Sequence, residues 1–250
     1  MPFISLQGTM STNSNLPTGR ITVSKDLAQY IDHTLLSPNA TEAQISKLCQ
    51  EAKANSFCAV CVNPFYVSQA LKELANSKVK VATVIGFPLG ANLMETKVEE
   101  TRRAVKDGAH EIDMVINVGA LKSGGIDYVT EEIKEVVKVA KDVPVKVIIE
   151  CDLLTEEEKI AATEACIKAG AYMVKTSTGF VKDGKGATVE DVTLMKKTIG
   201  NHKLGIKASA GIRDAEKAIA LVKAGATRLG TSAGVSIIQG ASTTTAGASY

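Results

Sequence analysis

Eight short β-branched runs, separated by amphipathic stretches of roughly 10 to 16 residues, restrict this chain to repeated βα units around a parallel sheet. The runs cover 32–35, 57–62, 79–85, 111–116, 145–150, 172–176, 205–208 and 227–230. Helix starts are marked between them: Thr41 with Gln44 makes a capping-box pattern, Asn63 stands before a proline at a first helical position, and Thr155 precedes three glutamates that suit a helix dipole. Stops recur as well. Lys106-Asp107-Gly108-Ala109, Lys168-Ala169-Gly170-Ala171 and Lys223-Ala224-Gly225-Ala226 each end a helix with a basic residue and a glycine before a strand. Lys53-Ala54-Asn55-Ser56 is a weaker copy that puts Asn55 in the left-handed position. Successive copies are spaced by about two βα units, the period of quarter-barrels, which predicts an α/β fold of the closed (β/α)8 TIM barrel type in a single domain. A doubly wound open sheet is the alternative, but no G-x-G-x-x-G follows the first run and no Walker A sequence is present.

With 250 residues and 45% hydrophobic content, the chain can fill one barrel of ordinary size. The catalytic barrel is expected over 21–240, with 1–20 a flexible N-terminal extension and 241–250 a flexible C-terminal tail, both rich in small polar residues. A formal charge of +2, no basic block and 4% aromatic residues offer nucleic acid neither an electrostatic footprint nor stacking platforms. A small polar ligand is expected instead. No run approaches the roughly 18 apolar residues of a membrane span, and the start lacks the basic and apolar regions of a secretory signal. A cytoplasmic location follows. Five unevenly spaced cysteines fit reduced thiols better than a disulfide framework. Cys58 and Cys61 form a C-x-x-C inside a strand, where residues three apart face opposite ways, so it is not read as a redox motif.

Buried parallel strands are ordinarily apolar throughout, which makes charges inside them informative. Asp32, Glu111, Asp113, Lys146, Lys175 and Lys207 all fall within the runs. Isolated burial would penalise each heavily, whereas together they can neutralise one another as an ion-pair layer. Barrel active sites sit at the C-terminal mouth. Lys146 begins its run and is expected to be structural, while Lys175 and Lys207 close theirs and should reach the mouth. Ammonium groups on adjacent strands repel, and repulsion with burial lowers a lysine pKa from about 10.4 toward neutrality. A neutral amine can attack a carbonyl to form an imine that activates the neighbouring C–C bond. Asp113 is placed to move protons, directly or through a water.

Ser209-Ala210-Gly211 and Gly230-Thr231-Ser232 follow the seventh and eighth runs as small-residue turns, where this fold usually holds phosphate on backbone N–H groups. Of the histidines His33, His110 and His202, the last two precede strands, so no metal ligand set is expected. Two other readings stay open: a phosphosugar isomerase or decarboxylase using a lysine as general acid or base, and a silent sugar-phosphate-binding regulator.

Six ordered motifs carry a family resemblance: IDHTLL from Ile31, EIDMVINVGAL from Glu111, VKVIIE from Val145, MVKTSTGF from Met173, GIKASAGIRD from Gly205 and RLGTSAG from Arg228. Over most of 32–239 the chain resembles the class I deoxyribose-phosphate aldolases. The resemblance implies a (β/α)8 barrel and a lyase that reversibly cleaves 2-deoxy-D-ribose 5-phosphate to acetaldehyde and D-glyceraldehyde 3-phosphate without metal or organic cofactor. It also implies a place in deoxyribonucleotide catabolism and a homo-oligomer, dimer or tetramer. Residue by residue, it implies Lys175 as the Schiff-base lysine, Lys207 as the lysine that perturbs it and Asp113 as the proton shuttle. Asp32, Glu111 and Lys146 match the supporting polar network; Thr178, Gly179, Ser209, Gly211, Gly230 and Ser232 fall in segments that hold the substrate and its phosphate. Some members carry a lysine after the STG turn and a second serine after Gly-x-Ser. Phe180 and Ala233 stand there instead, which takes away that side-chain help. Cys61 matches a cysteine that some relatives place near the substrate, and Tyr250 a terminal tyrosine that in some members folds over the mouth to assist proton transfer.

Overall fold

The structure, a computed structural model, describes residues 25–240. Eight parallel strands close into a barrel in chain order: β1 (Ile31–Leu35), β2 (Ala59–Val62), β3 (Lys80–Ile85), β4 (Glu111–Val115), β5 (Val145–Ile148), β6 (Met173–Lys175), β7 (Gly205–Ser209) and β8 (Arg228–Thr231), which pairs back with β1. Each expected run overlaps one strand, and helices fill the intervals. The expected extension 1–20, tail 241–250 and Tyr250 lie outside the described residues. Among the described residues no helix is long and apolar enough to cross a membrane.

Strand alternation separates two environments. Outward residues such as Val60, Val81, Ile112, Val147, Val174 and Leu229 join one apolar layer between the strands and the helices. Each such side chain contributes about 1.5–3 kcal/mol when fully buried. The helix Ile126–Ala140 meets this layer with Val129, Ile133, Val136 and Ala140, spaced three and four apart. The inward residues are of another kind. Register sets Asp32 beside Ala59 and Gly230, Asp113 beside Val84 and Lys146, and Lys175 beside Lys207. The β2–β3 side is apolar within, where Cys61, Ala82 and Val84 cluster with Leu36, Phe87 and Phe180.

Most of the expected punctuation forms. Thr41 with Gln44 and Thr155 with Glu158 make reciprocal capping boxes. Gly108, Gly170 and Gly225 take positive φ at the helix stops. Three expectations are corrected. In the fourth stop the left-handed residue is Ser56 (φ 54°), because the Asn55 amide donates back to Glu51 O at 2.8 Å and holds Asn55 at φ −102°. Asn63 makes no side-chain cap: its amide donates to Leu36 O, and Pro64 opens a 3-10 turn before the helix Val67–Glu73. β5 ends at Ile148, short of the expected 150, and Glu150 turns left-handed (φ 59°).

Candidate active site

β4, β6 and β7 bring Asp113, Lys175 and Lys207 together inside the barrel. Asp113 Oδ2 accepts from Lys175 Nζ at 2.7 Å and from Lys207 Nζ at 2.8 Å, while Oδ1 accepts from Lys146 Nζ at 2.8 Å. Of these side chains only Lys175 retains any exposure, at 3%. Deeper in, Lys146 also pairs with Glu111 at 2.6 Å and Asp32 at 3.4 Å, and Lys207 pairs with Asp32. Arg228, absent from the sequence candidates, bridges Asp32 and Glu111 at 2.8 Å each. Lys80, also absent from them, reaches Glu111 at 2.9 Å with its own side chain half exposed. Both are charged residues within β-branched runs, the same signal that marks the others.

Arg228 changes the charge balance. Lys146, Lys175, Lys207 and Arg228 are buried against only three buried carboxylates, Asp32, Glu111 and Asp113. Within 4 Å, Lys146 touches three carboxylates, Lys207 and Arg228 two each, and Lys175 only Asp113, which it shares with both other lysines. Burial therefore pushes the Lys175 amine below the usual lysine range; Asp113 opposes the shift and the Lys207 charge adds to it. The sequence argument led with repulsion between the lysines, but desolvation is the larger cause. Burial acts on Lys207 and Lys146 too, yet their carboxylates outweigh it and raise both. Burial works to raise Asp113, but Lys146, Lys175 and Lys207 hold it well below the ordinary carboxylate range. The downward shifts of Lys175 and Asp113 are compatible, since Asp113 keeps two ammonium partners when Lys175 is neutral. Cys61 is fully buried, and burial, followed by the Asp113 charge, raises its thiol.

A cavity of about 560 Å³ has Gly179, Gly211 and Ser232 in its wall, together with Phe180, Lys182 and Arg213. Gly211 sits at φ 68°, and a Cβ there would come within 2.8 Å of Lys185 O, so the turn needs glycine. Thr178, Ser209 and Gly230 are outside that wall. The Thr178 N–H and hydroxyl both donate to the Glu150 carboxylate, which ties down the turn after Lys175. Phe180 meets Phe87 edge-on with ring centroids 5.1 Å apart. Lys182 and Arg213 stand in the loops beside the expected turns and line the same cavity. Among the described residues no group of three or more His, Cys, Asp or Glu could hold a metal ion.

Fold and site together define a (β/α)8-barrel enzyme with a buried amine cluster at its C-terminal mouth. Residues 27–242 match the family model described as DeoC/LacD family aldolase. A deoxyribose-phosphate aldolase of Brevibacillus brevis is 55% identical over 222 residues, spanning 89% of this chain and 99% of that relative. One of Thermococcus gammatolerans is 58% identical over 223 residues, spanning 88% of this chain and 98% of the other. A structure of deoxyribose phosphate aldolase from Aeropyrum pernix, described as a unique tetramer, superposes with TM-score 0.80 at 36% identity, covering 86% of this chain and 90% of that one. The chain belongs to the DeoC/LacD aldolase family.

Proposed function

We propose that this aldolase reversibly cleaves 2-deoxy-D-ribose 5-phosphate to acetaldehyde and D-glyceraldehyde 3-phosphate, with Lys175 forming the imine. One observation carries the reading: of the four cations buried in this network, Lys175 alone has a single carboxylate, shared with two other lysines, and it stands at the mouth end of its strand with a lowered pKa. A neutral amine adds to the C1 aldehyde, one proton is taken up and water leaves, giving a protonated imine. Removal of the C3 hydroxyl proton lets the C2–C3 electron pair move into the C1–C2 bond, so D-glyceraldehyde 3-phosphate departs and an enamine remains. Protonation at C2 and hydrolysis release acetaldehyde and return the amine.

Asp113, 2.7 Å from the reacting nitrogen, exchanges these protons directly or through a water. Lys146 and Lys207 keep it anionic, so it begins the cycle as an acceptor. Lys207 keeps Lys175 discharged, and Asp32, Glu111, Lys146 and Arg228 hold the set in place. The turns at Gly179, Gly211 and Ser232 take the phosphate. Backbone N–H groups in such turns suit an anion, and Lys182 and Arg213 line the same cavity. The names of the relatives support this substrate, and the Aeropyrum pernix tetramer supports an oligomeric assembly.

Borohydride added with deoxyribose 5-phosphate is expected to leave a permanent mass addition on Lys175. A coupled assay run with a chelator should detect acetaldehyde, and Lys175→Met should lower turnover on the order of 10³-fold or more. Labelling of another lysine, or loss of turnover to the chelator, would sink the assignment.

A further inference from the structure

Inside this barrel two buried hydroxyls, Ser177 Oγ and Ser209 Oγ, each on a residue 1% exposed, have no hydrogen-bond partner among the described residues. Buried polar groups are nearly always paired, so an orphaned pair beside a candidate site calls for a reason. Ser209 lies two residues beyond Lys207 and ends β7, which turns it to the same interior side, one step nearer the mouth. Gly230, its register neighbour on β8, fixes where the hydroxyl sits: a Cβ added to Gly230 would lie 2.4 Å from Ser209 Oγ and 3.0 Å from Lys207 Cε. Small size at 230 thus makes the room that the hydroxyl occupies. The Ser209 backbone is already engaged, its N–H donating to Thr176 Oγ1 at 3.0 Å and its carbonyl accepting from Ala187 N at 3.1 Å. Only the side chain is left to act. Immediately beyond it, Ala210 and Gly211 enter the cavity wall. Ser177 follows Lys175 by the same two residues on the neighbouring strand's path.

This inference rests on the function proposed above. A substrate tied at C1 to Lys175 and at its phosphate to the cavity runs from the end of β6 toward the turn at Ala210 and Gly211, which Ser209 immediately precedes. Of its two free hydroxyls, the one on C3 adjoins the breaking bond and the one on C4 is nearer the phosphate. We infer that the Ser209 hydroxyl recognises the C4 hydroxyl of the sugar, which becomes the α-hydroxyl of the aldehyde product, and that Ser177 lines the same seat. Ser209 is then a specificity-determining residue and not a phosphate ligand. In the direction of synthesis it selects aldehyde phosphates that bear an α-hydroxyl.

The test compares kcat/KM for addition of acetaldehyde to D-glyceraldehyde 3-phosphate and to 3-oxopropyl phosphate, which lacks that hydroxyl. Wild type should prefer the hydroxylated aldehyde by on the order of tenfold or more, and Ser209→Ala should lose most of the preference through the hydroxylated substrate alone. Its borohydride-trapped imine with acetaldehyde should match wild type. Its Tm should be unchanged or higher, because the deleted hydroxyl has no partner among the described residues. Should the alanine variant fail to fold, Ser209→Gly removes the same hydroxyl and carries the same expectation. A preference that survives the substitution, or equal losses on both aldehydes, overturns the inference. Failure of wild type to form any imine with acetaldehyde removes instead the function on which it rests.

Discussion

Whether a buried lysine is an amine or an ammonium depends on its neighbours, and here the neighbours are unevenly shared. Lys207 holds Asp32 and Asp113, whereas Lys175 holds Asp113 alone. Replacing Lys207 with methionine acts on Lys175 twice in one direction. It removes a like charge that lowers the Lys175 pKa, and it frees Asp113 to attract the remaining ammonium more strongly. Both raise that pKa. On the proposed mechanism the neutral amine is the active form, so activity is lost as pH falls through the Lys175 pKa, and raising the pKa moves this acid limb toward alkali. In Lys207→Met the limb of kcat/KM is expected at higher pH than in wild type, each unit of displacement lowering activity below the limb about tenfold. A pH–rate profile checks it, and an unmoved limb would strip Lys207 of the role. Legibility at this scale was good but uneven. Lys175, Lys207 and Asp113 stand out as charges in apolar runs, and so could Arg228, whose place at the start of β8 gives it the same signature.

Among the elements, β4 depends on a support that no sequence pattern displays. Lys97, on the helix Met94–Lys106, donates to Glu132 at 2.7 Å and to Val115 O at 2.8 Å, both charged side chains being fully buried. Glu132 in turn accepts from Asn117 N at 3.0 Å, so the pair braces the mouth end of the strand that bears Asp113. Burial lowers Lys97 and raises Glu132, each toward its neutral form, which marks the pair as strained by desolvation. Lys97→Met should therefore cost about 3–5 kcal/mol by stranding Glu132, while Lys97→Met with Glu132→Leu should recover much of it. Denaturant unfolding of both variants decides the matter, and a double variant no better than the single would show that the strut, not the stranded charge, carries the stability. The eight strands were readable because the β-branched runs and helix stops are local signals. Lys97 and Glu132 were not, since each sits in a helix crowded with charges, where the pattern reads as a solvated face. Ser56 and Glu150 were unreadable for a related reason, their left-handed backbones being imposed by neighbouring hydrogen bonds and strand ends and not by residue preference.

At the scale of the whole molecule, the network inside the barrel sets four buried cations against three buried carboxylates, so the fold keeps one amine in a place where it resists its proton. The unfolded chain has no such restriction, and its lysine binds a proton below about pH 10.4. Because the folded pKa is the lower one, the unfolded state gains protons first as pH falls, so this lysine destabilises the fold progressively from the unfolded pKa down to the folded one. Above that window the penalty vanishes, and below it the penalty is constant. Lys175→Met removes the group and leaves Asp113 with Lys146 and Lys207. The inactive variant should accordingly melt above wild type at neutral pH, each kcal/mol of relief appearing as about 2–4 °C in Tm for a chain of this size. The gap should shrink as the measurement is moved to pH 10 and beyond. Calorimetry across that range tests the claim: a variant that melts below wild type, or a gap indifferent to pH, would mean that the amine is held charged and that its one shared carboxylate is partner enough. A gap that closes with alkali would show the barrel giving up stability to keep a nucleophile at its mouth.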